Sequence, residues 1–99
     1  MTLNITLPRL VGTREAAEDL VNRTDGTPED GRVEVNGRAL ATSTISFADE
    51  LVKKLIERGA KEILIVSAPE RFRRQMTDAG KRHREVAVTI KRSGVLERL

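Results

Sequence analysis

The sequence predicts an α/β domain: a single two-layer sandwich of about four strands in a mixed sheet and about three helices, in the order βαβαβαβ. Short runs of period-two alternation are separated by amphipathic stretches of helical period. Three of the four runs carry polar residues on one face (Thr2, Asn4, Thr6; Arg32, Glu34, Asn36; Glu85, Thr89, Lys91). A sheet with one wet face needs helices on the other side only, which favours two layers over a doubly wound three-layer fold.

Residues 2–7 alternate Thr, Leu, Asn, Ile, Thr, Leu and end at Pro8. Residues 14–23 form the first helix, capped by Thr13, with Ala16, Ala17, Leu20 and Val21 as its apolar side. The segment 24–31 is dense in Gly, Pro, Asp and Thr and reads as a surface loop. Arg32–Asn36 alternates again, followed by a turn at Gly37. Residues 42–58 place a run of hydroxyls before a helix over 46–58. Phe47, Leu51 and Leu55, widened by Val52 and Ile56, form its buried stripe. Ser46 reads as its N-cap, Asp49 as the partner in a weak capping box, and Gly59 as its C-terminal cap. Asp49 with Lys53, and Glu50 with Lys54, are opposite charges in the favourable i,i+4 order. Residues 61–67 are a continuous apolar run, a more fully covered central strand. The next helix starts at Ser67-Ala-Pro-Glu70, buries Phe72, Met76 and Ala79, and ends at Gly80. Residues 85–91 form the last strand. The domain is expected over 1–91, with 92–99 a C-terminal tail or short helix.

Composition narrows the function classes. The chain of 99 residues fits one domain, and with two Phe and no Trp or Tyr its core must be aliphatic. No cysteine is present, which excludes disulfides and thiolate metal sites. The N-terminus lacks a basic region followed by a long apolar run, and no stretch is long enough to span a bilayer. A cytoplasmic protein is therefore expected. The net charge of +3 and the pI near 9.8 mildly favour an anionic partner. The excess lies in the C-terminal third, in Arg71, Arg73, Arg74, Lys81, Arg82, Arg84, Lys91, Arg92 and Arg98.

No catalytic constellation is visible, so a non-enzyme is expected, with no cofactor and no metal. Gly59-Ala-Lys61 lacks the spacing of a phosphate-binding loop. His83 stands in Lys81-Arg-His-Arg84 without a carboxylate cluster in sequence, and reads as a solvated loop residue rather than a ligand or base. The pairs Asp49/Glu50 and Glu29/Asp30 carry no acid–base signal.

The element order, the Thr-Arg-Glu-Ala start of the first helix, and above all Ile45-Ser46-Phe47-Ala48-Asp49-Glu50-Leu51 resemble the STAS-like domain family, relatives of the anti-sigma-factor antagonists. The resemblance spans roughly residues 2–90. It implies a non-enzymatic switch that binds a partner protein, an anti-sigma kinase of the ATPase fold or, for a small phage or mobile-element protein, a host factor. It also implies phosphorylation of a hydroxyl at the helix start, which abolishes partner binding. Ser46 matches that place, with Ser43 and Thr44 as neighbours and Asp49 and Glu50 on the adjoining turn. The chain departs from the family pattern in having Phe47 after Ser46, and Val35-Asn36 where an Asp-Phe pair is common. The alternative reading is a small basic nucleic-acid-binding regulator using Arg71, Arg74, Lys81, Arg82 and Arg84, although the chain lacks exposed aromatics for stacking. An unpaired edge strand could also pair with a second copy to form a homodimer; the sequence does not say which strand is the edge.

Overall fold

The structure, a computed structural model, describes residues 3–28 and 30–91. Thr2 of the first run, Glu29, and the segment 92–99 with Arg92 and Arg98 lie outside the described residues. The elements are β1 (Leu3–Thr6), α1 (Arg14–Arg23), β2 (Arg32–Asn36), α2 (Ile45–Glu57), β3 (Glu62–Val66), α3 (Glu70–Arg82) and β4 (Ala87–Lys91).

The four strands lie in sequential order β1-β2-β3-β4, and every neighbouring pair is parallel. The expected mixed sheet is therefore corrected to a parallel one. The reason is local: each strand is followed by a helix that carries the chain back to the starting end, so no hairpin can form. Right-handed crossovers between successive neighbours then put all three helices on one face. Helix α2 packs between α1 and α3 in a single layer.

The register fixes which side chains share each face. Leu3, Val33, Ile63 and Val88 form one row under the helices, and Ile5, Val35, Ile65 and Ile90 form the next. Against them α2 buries Phe47, Leu51, Val52 and Leu55, while α3 buries Phe72, Met76 and Ala79. The Phe47 and Phe72 rings meet at 6.4 Å, tilted by 45°. The opposite face carries Asn4, Glu34, Leu64 and Thr89 in one row, and Thr6, Asn36, Val66 and Lys91 in another. Leu64 and Val66 are half-buried among polar neighbours. This explains how a parallel sheet, normally covered on both sides, leaves one face uncovered within this domain.

Helix ends follow the local chemistry. The hydroxyl of Thr13 accepts from the Ala16 amide, as its position predicts. Helix α2 closes with the amide of Gly59 donating to Ile56 and that of Ala60 to Leu55, while Gly59 takes φ +103°. This pair of bonds requires a left-handed residue at Gly59. Two expectations for α3 are corrected. It starts at Glu70 with Pro69 at the cap and no side-chain cap bond, because the residue before a proline is driven out of the helical region. Ser67 instead takes φ +58°. The helix also runs through Gly80 to Arg82. A Cβ on Gly80 would lie 2.7 Å from a Val88 methyl, so glycine there allows α3 to approach β4 rather than ending the helix.

Gly37 marks a close junction just beyond the carboxyl end of β2. Its amide donates to the Val66 carbonyl, and a Cβ on it would stand 2.9 Å from Ala68 Cβ and 3.2 Å from Ala68 Cα. Gly37→Ala is expected to lower stability by about 1–3 kcal/mol through overpacking, measured by thermal denaturation.

Candidate functional site

In a chain of βα units every helix starts beyond the carboxyl end of the strand before it. The segments 7–13, 37–44 and 67–69 therefore gather at that edge of the sheet, the usual place for function in parallel α/β folds. Two of them are joined by backbone bonds. The Ala41 and Thr42 amides donate to Arg9 O at 2.7 and 3.3 Å, and the Val11 amide donates to Thr42 O at 3.1 Å. Leu10 and Thr42 form an isolated parallel bridge.

The hydroxyl cluster feeding α2 divides into distinct roles. Ser43 is buried; its Oγ donates to Gln75 Oε1 at 2.6 Å, and Gln75 Nε2 donates back to Ser43 O at 3.4 Å. This tie fixes the loop to α3. Thr44 is the N-cap: its Oγ1 accepts from the Phe47 amide at 3.1 Å and donates to Gly12 O at 3.0 Å. The expected cap at Ser46 is thus corrected: the cap lies two residues earlier, at Thr44, and a second structural bond holds it in place. The capping box fails with it, because the residue three beyond Thr44 is Phe47 and not a carboxylate. Ser46 stands in the first helical turn, exposed and free of the capping duty. It is the accessible hydroxyl of the three.

Asp49 and Glu50 lie one turn further along the same stripe of α2. Asp49 accepts from Arg82 Nε and meets His83 Nε2, both at 3.0 Å, with Arg14 Nη1 at 3.6 Å. Burial pushes the Asp49 carboxyl upward, but the hydrogen bonds and charges of Arg82 and His83 outweigh it and hold the group below its ordinary 3.8. Glu50 accepts from Arg14 at 3.2 Å and faces Lys54 at 4.0 Å. Glu57 and then Glu18, each 3.5 Å from Lys54, raise its ammonium group above the ordinary value. His83 is consequently a half-buried partner of Asp49, not the solvated loop residue expected; the pairing crosses 34 positions and leaves no trace in the local sequence.

Of the basic candidates on α3, Arg74 is held by Glu70 at 2.9 Å and Arg82 by Asp49. Arg71, Lys81 and Arg84 are exposed. The five are spread from the first turn of α3, at Arg71, to the residues at and just past its carboxyl end, and Arg82 reaches α2 through Asp49.

Sequence reasoning missed Leu10 and Ile45, exposed at 66% and 64%. Leu10 belongs to a joined segment, opposite Thr42, and Ile45 directly follows the other as the first residue of α2. A signal existed for Ile45: at ~100° per residue it lies ~200° around the helix from Phe47, off the buried stripe. Arg9 and Arg38, also exposed at this edge, were missed as well. A separate depression of about 410 Å³ lies along the β1 edge between Thr6, Pro8, Leu20 and Arg23. Among the described residues, no group of three or more His, Asp or Glu side chains could hold a metal ion, and no helix is long and apolar enough to cross a membrane.

No family model matches the chain, and neither a curated protein nor a solved structure matches it.

Thr44→Ala should cost about 1–2 kcal/mol in chemical denaturation, because it removes a cap and a loop tie. Ser46→Ala should change stability by less than ~0.5 kcal/mol, and Ser46→Asp should melt close to wild type. Asp49 contributes stability that is full above pH 3.8 and is lost as pH falls through its lower folded-state value. Asp49→Asn should therefore flatten the acid limb of the stability–pH curve below about pH 4, read by denaturation at stepped pH.

Proposed function

We propose that this chain is a non-enzymatic, STAS-like interaction module that binds a partner protein through the loop 41–46 and the exposed first turn of α2. One observation carries the reading. Of the two large hydrophobic side chains exposed among the described residues, Leu10 sits on a joined segment opposite Thr42, and Ile45 follows the other joined segment directly and precedes the exposed Ser46. Scattered surface apolar residues mean little, but here both belong to one edge, on backbone fixed by capping and cross-loop bonds.

Phosphorylation of Ser46 is the switch in this proposal. A phosphate in the first turn of α2 meets the positive end of the helix and is welcome there. It also adds nearly two negative charges beside Asp49 and Glu50, one helical turn away, and so changes the surface the partner meets. The partner is an anti-sigma kinase of the ATPase fold or a host factor, and the site of action is cytoplasmic.

Nucleic-acid binding through the α3 face is the weaker reading, because two of its five cations are held by carboxylates and both phenylalanines are fully buried. The test is a nuclease-treated affinity pull-down comparing wild type, Ser46→Asp and Lys81→Glu/Arg84→Glu. A protein captured by wild type and by the α3 variant, and lost with Ser46→Asp, is the expected outcome. Loss from the α3 variant alone would transfer the function to the basic face.

A further inference from the structure

The edge that carries Leu10 and Ile45 is electrostatically one-sided. Arg9 lies next to Leu10, and Arg38 lies in the turn between Gly37 and Leu40, both exposed. Arg71 stands in the first turn of α3, also exposed. None of the three guanidinium groups is paired with a carboxylate among the described residues. Arg14, Arg32, Arg74 and Arg82 each have a carboxylate within 3.2 Å, while Arg23, Arg58, Arg73 and Arg84 lack one as well, so it is the grouping of Arg9, Arg38 and Arg71 beside exposed apolar side chains that sets this edge apart. The starts of α1, α2 and α3 add their positive dipole ends at the same edge. On the acidic side stand Glu15, exposed in the first turn of α1, and Glu70, already held by Arg74.

We infer that the segment recognised at this edge is an acidic stretch of another protein carrying an aliphatic anchor, the anchor packing on Leu10 and Ile45 and the carboxylates meeting Arg9, Arg38 and Arg71. The inference rests on the interaction-site reading above and names the chemistry of the partner. Arginine's planar fork pairs with carboxylates in two-point contacts, and unpaired arginines around an apolar centre are the expected rim of such a site. A nucleic acid would also be drawn to the arginines. It would gain little from Leu10 and Ile45, and the edge offers no exposed aromatic ring on which a base could stack.

The experiment is selection of a random-peptide display library on the immobilised full chain, followed by affinity measurement of enriched peptides against wild type, Ile45→Asp and Arg9→Glu/Arg38→Glu. All three substituted positions are exposed, and circular dichroism melting checks that the variants fold. The expected result is peptides rich in Asp and Glu around aliphatic positions, bound about tenfold more weakly by either variant. Neutral or basic peptides that bind wild type and are lost with Ile45→Asp would overturn the acidic partner while leaving the interaction site in place. No enrichment, or binding indifferent to Ile45→Asp, would overturn the interaction-site reading and the inference together. Fluorescent single-stranded and duplex DNA are run in parallel at low salt. Binding of DNA that depends on Arg9 and Arg38, with no acidic peptide enriched, would assign the edge to nucleic acid instead.

Discussion

The placement of everything else depends on the strictly sequential parallel pairing of β1 to β4. Because each strand lies next to its predecessor and runs the same way, every crossover must return on the same side, and three right-handed crossovers stack α1, α2 and α3 into one layer. That single constraint confines the core to one face, where Val33, Val35, Ile63 and Ile65 are fully buried. It also explains the polar rows on the other face. Asn4, Glu34 and Thr89, with Asn36 and Lys91, flank Leu64 and Val66 and let the uncovered side meet water without a large apolar patch. The same constraint gathers the helix starts and the loops before them at one edge of the sheet.

At that edge, polar ties add to the core packing of Leu7, Val11 and Leu40. Backbone bonds join Arg9 and Val11 to 41–42, Thr44 bridges Phe47 and Gly12, and Ser43 is held by Gln75 of α3. Each tie uses a group that would otherwise be left unsatisfied on burial. Together with the buried Leu7, Val11 and Leu40 they fix the two joined loops. With Ser43 and Thr44 committed to structure, Ser46 and Ile45 are left outward on backbone that these bonds hold in place.

Charge is distributed by the same logic. On the helix layer, Asp49 gathers Arg14, Arg82 and His83, and Lys54 sits among Glu18, Glu50 and Glu57. Such part-exposed pairs add little stability individually, but they neutralise the helix surface and help to align α1, α2 and α3. Among the described residues, Arg9, Arg23, Arg38, Arg58, Arg71, Arg73 and Arg84 lack a carboxylate partner, and of these Arg9, Arg38 and Arg71 stand exposed at the loop edge. A basic pI read from composition says only that such a region exists.

Periodicity alone determined the order βαβαβαβ, the two-layer form and most element bounds, because alternation and the 3.6-residue stripe are local consequences of which face is buried. Thr13 as a cap and Gly59 as a stop were legible for the same reason, their bonds being made within one turn. Tertiary structure decided the rest. The sheet is parallel throughout because strand direction depends on where crossovers return. Gly80 continues α3 because Val88 approaches it from another element. Thr44 takes the cap from Ser46 through its bond to Gly12, 32 positions away, and His83 finds Asp49 across 34. The candidate surface around Ser46 was half visible: its hydroxyls stand together in the chain, while Leu10 and Arg9 join them only when 9–11 pairs with 41–42. A sequence states what each residue prefers over one or two turns; which distant residue satisfies that preference is settled only when the chain closes on itself.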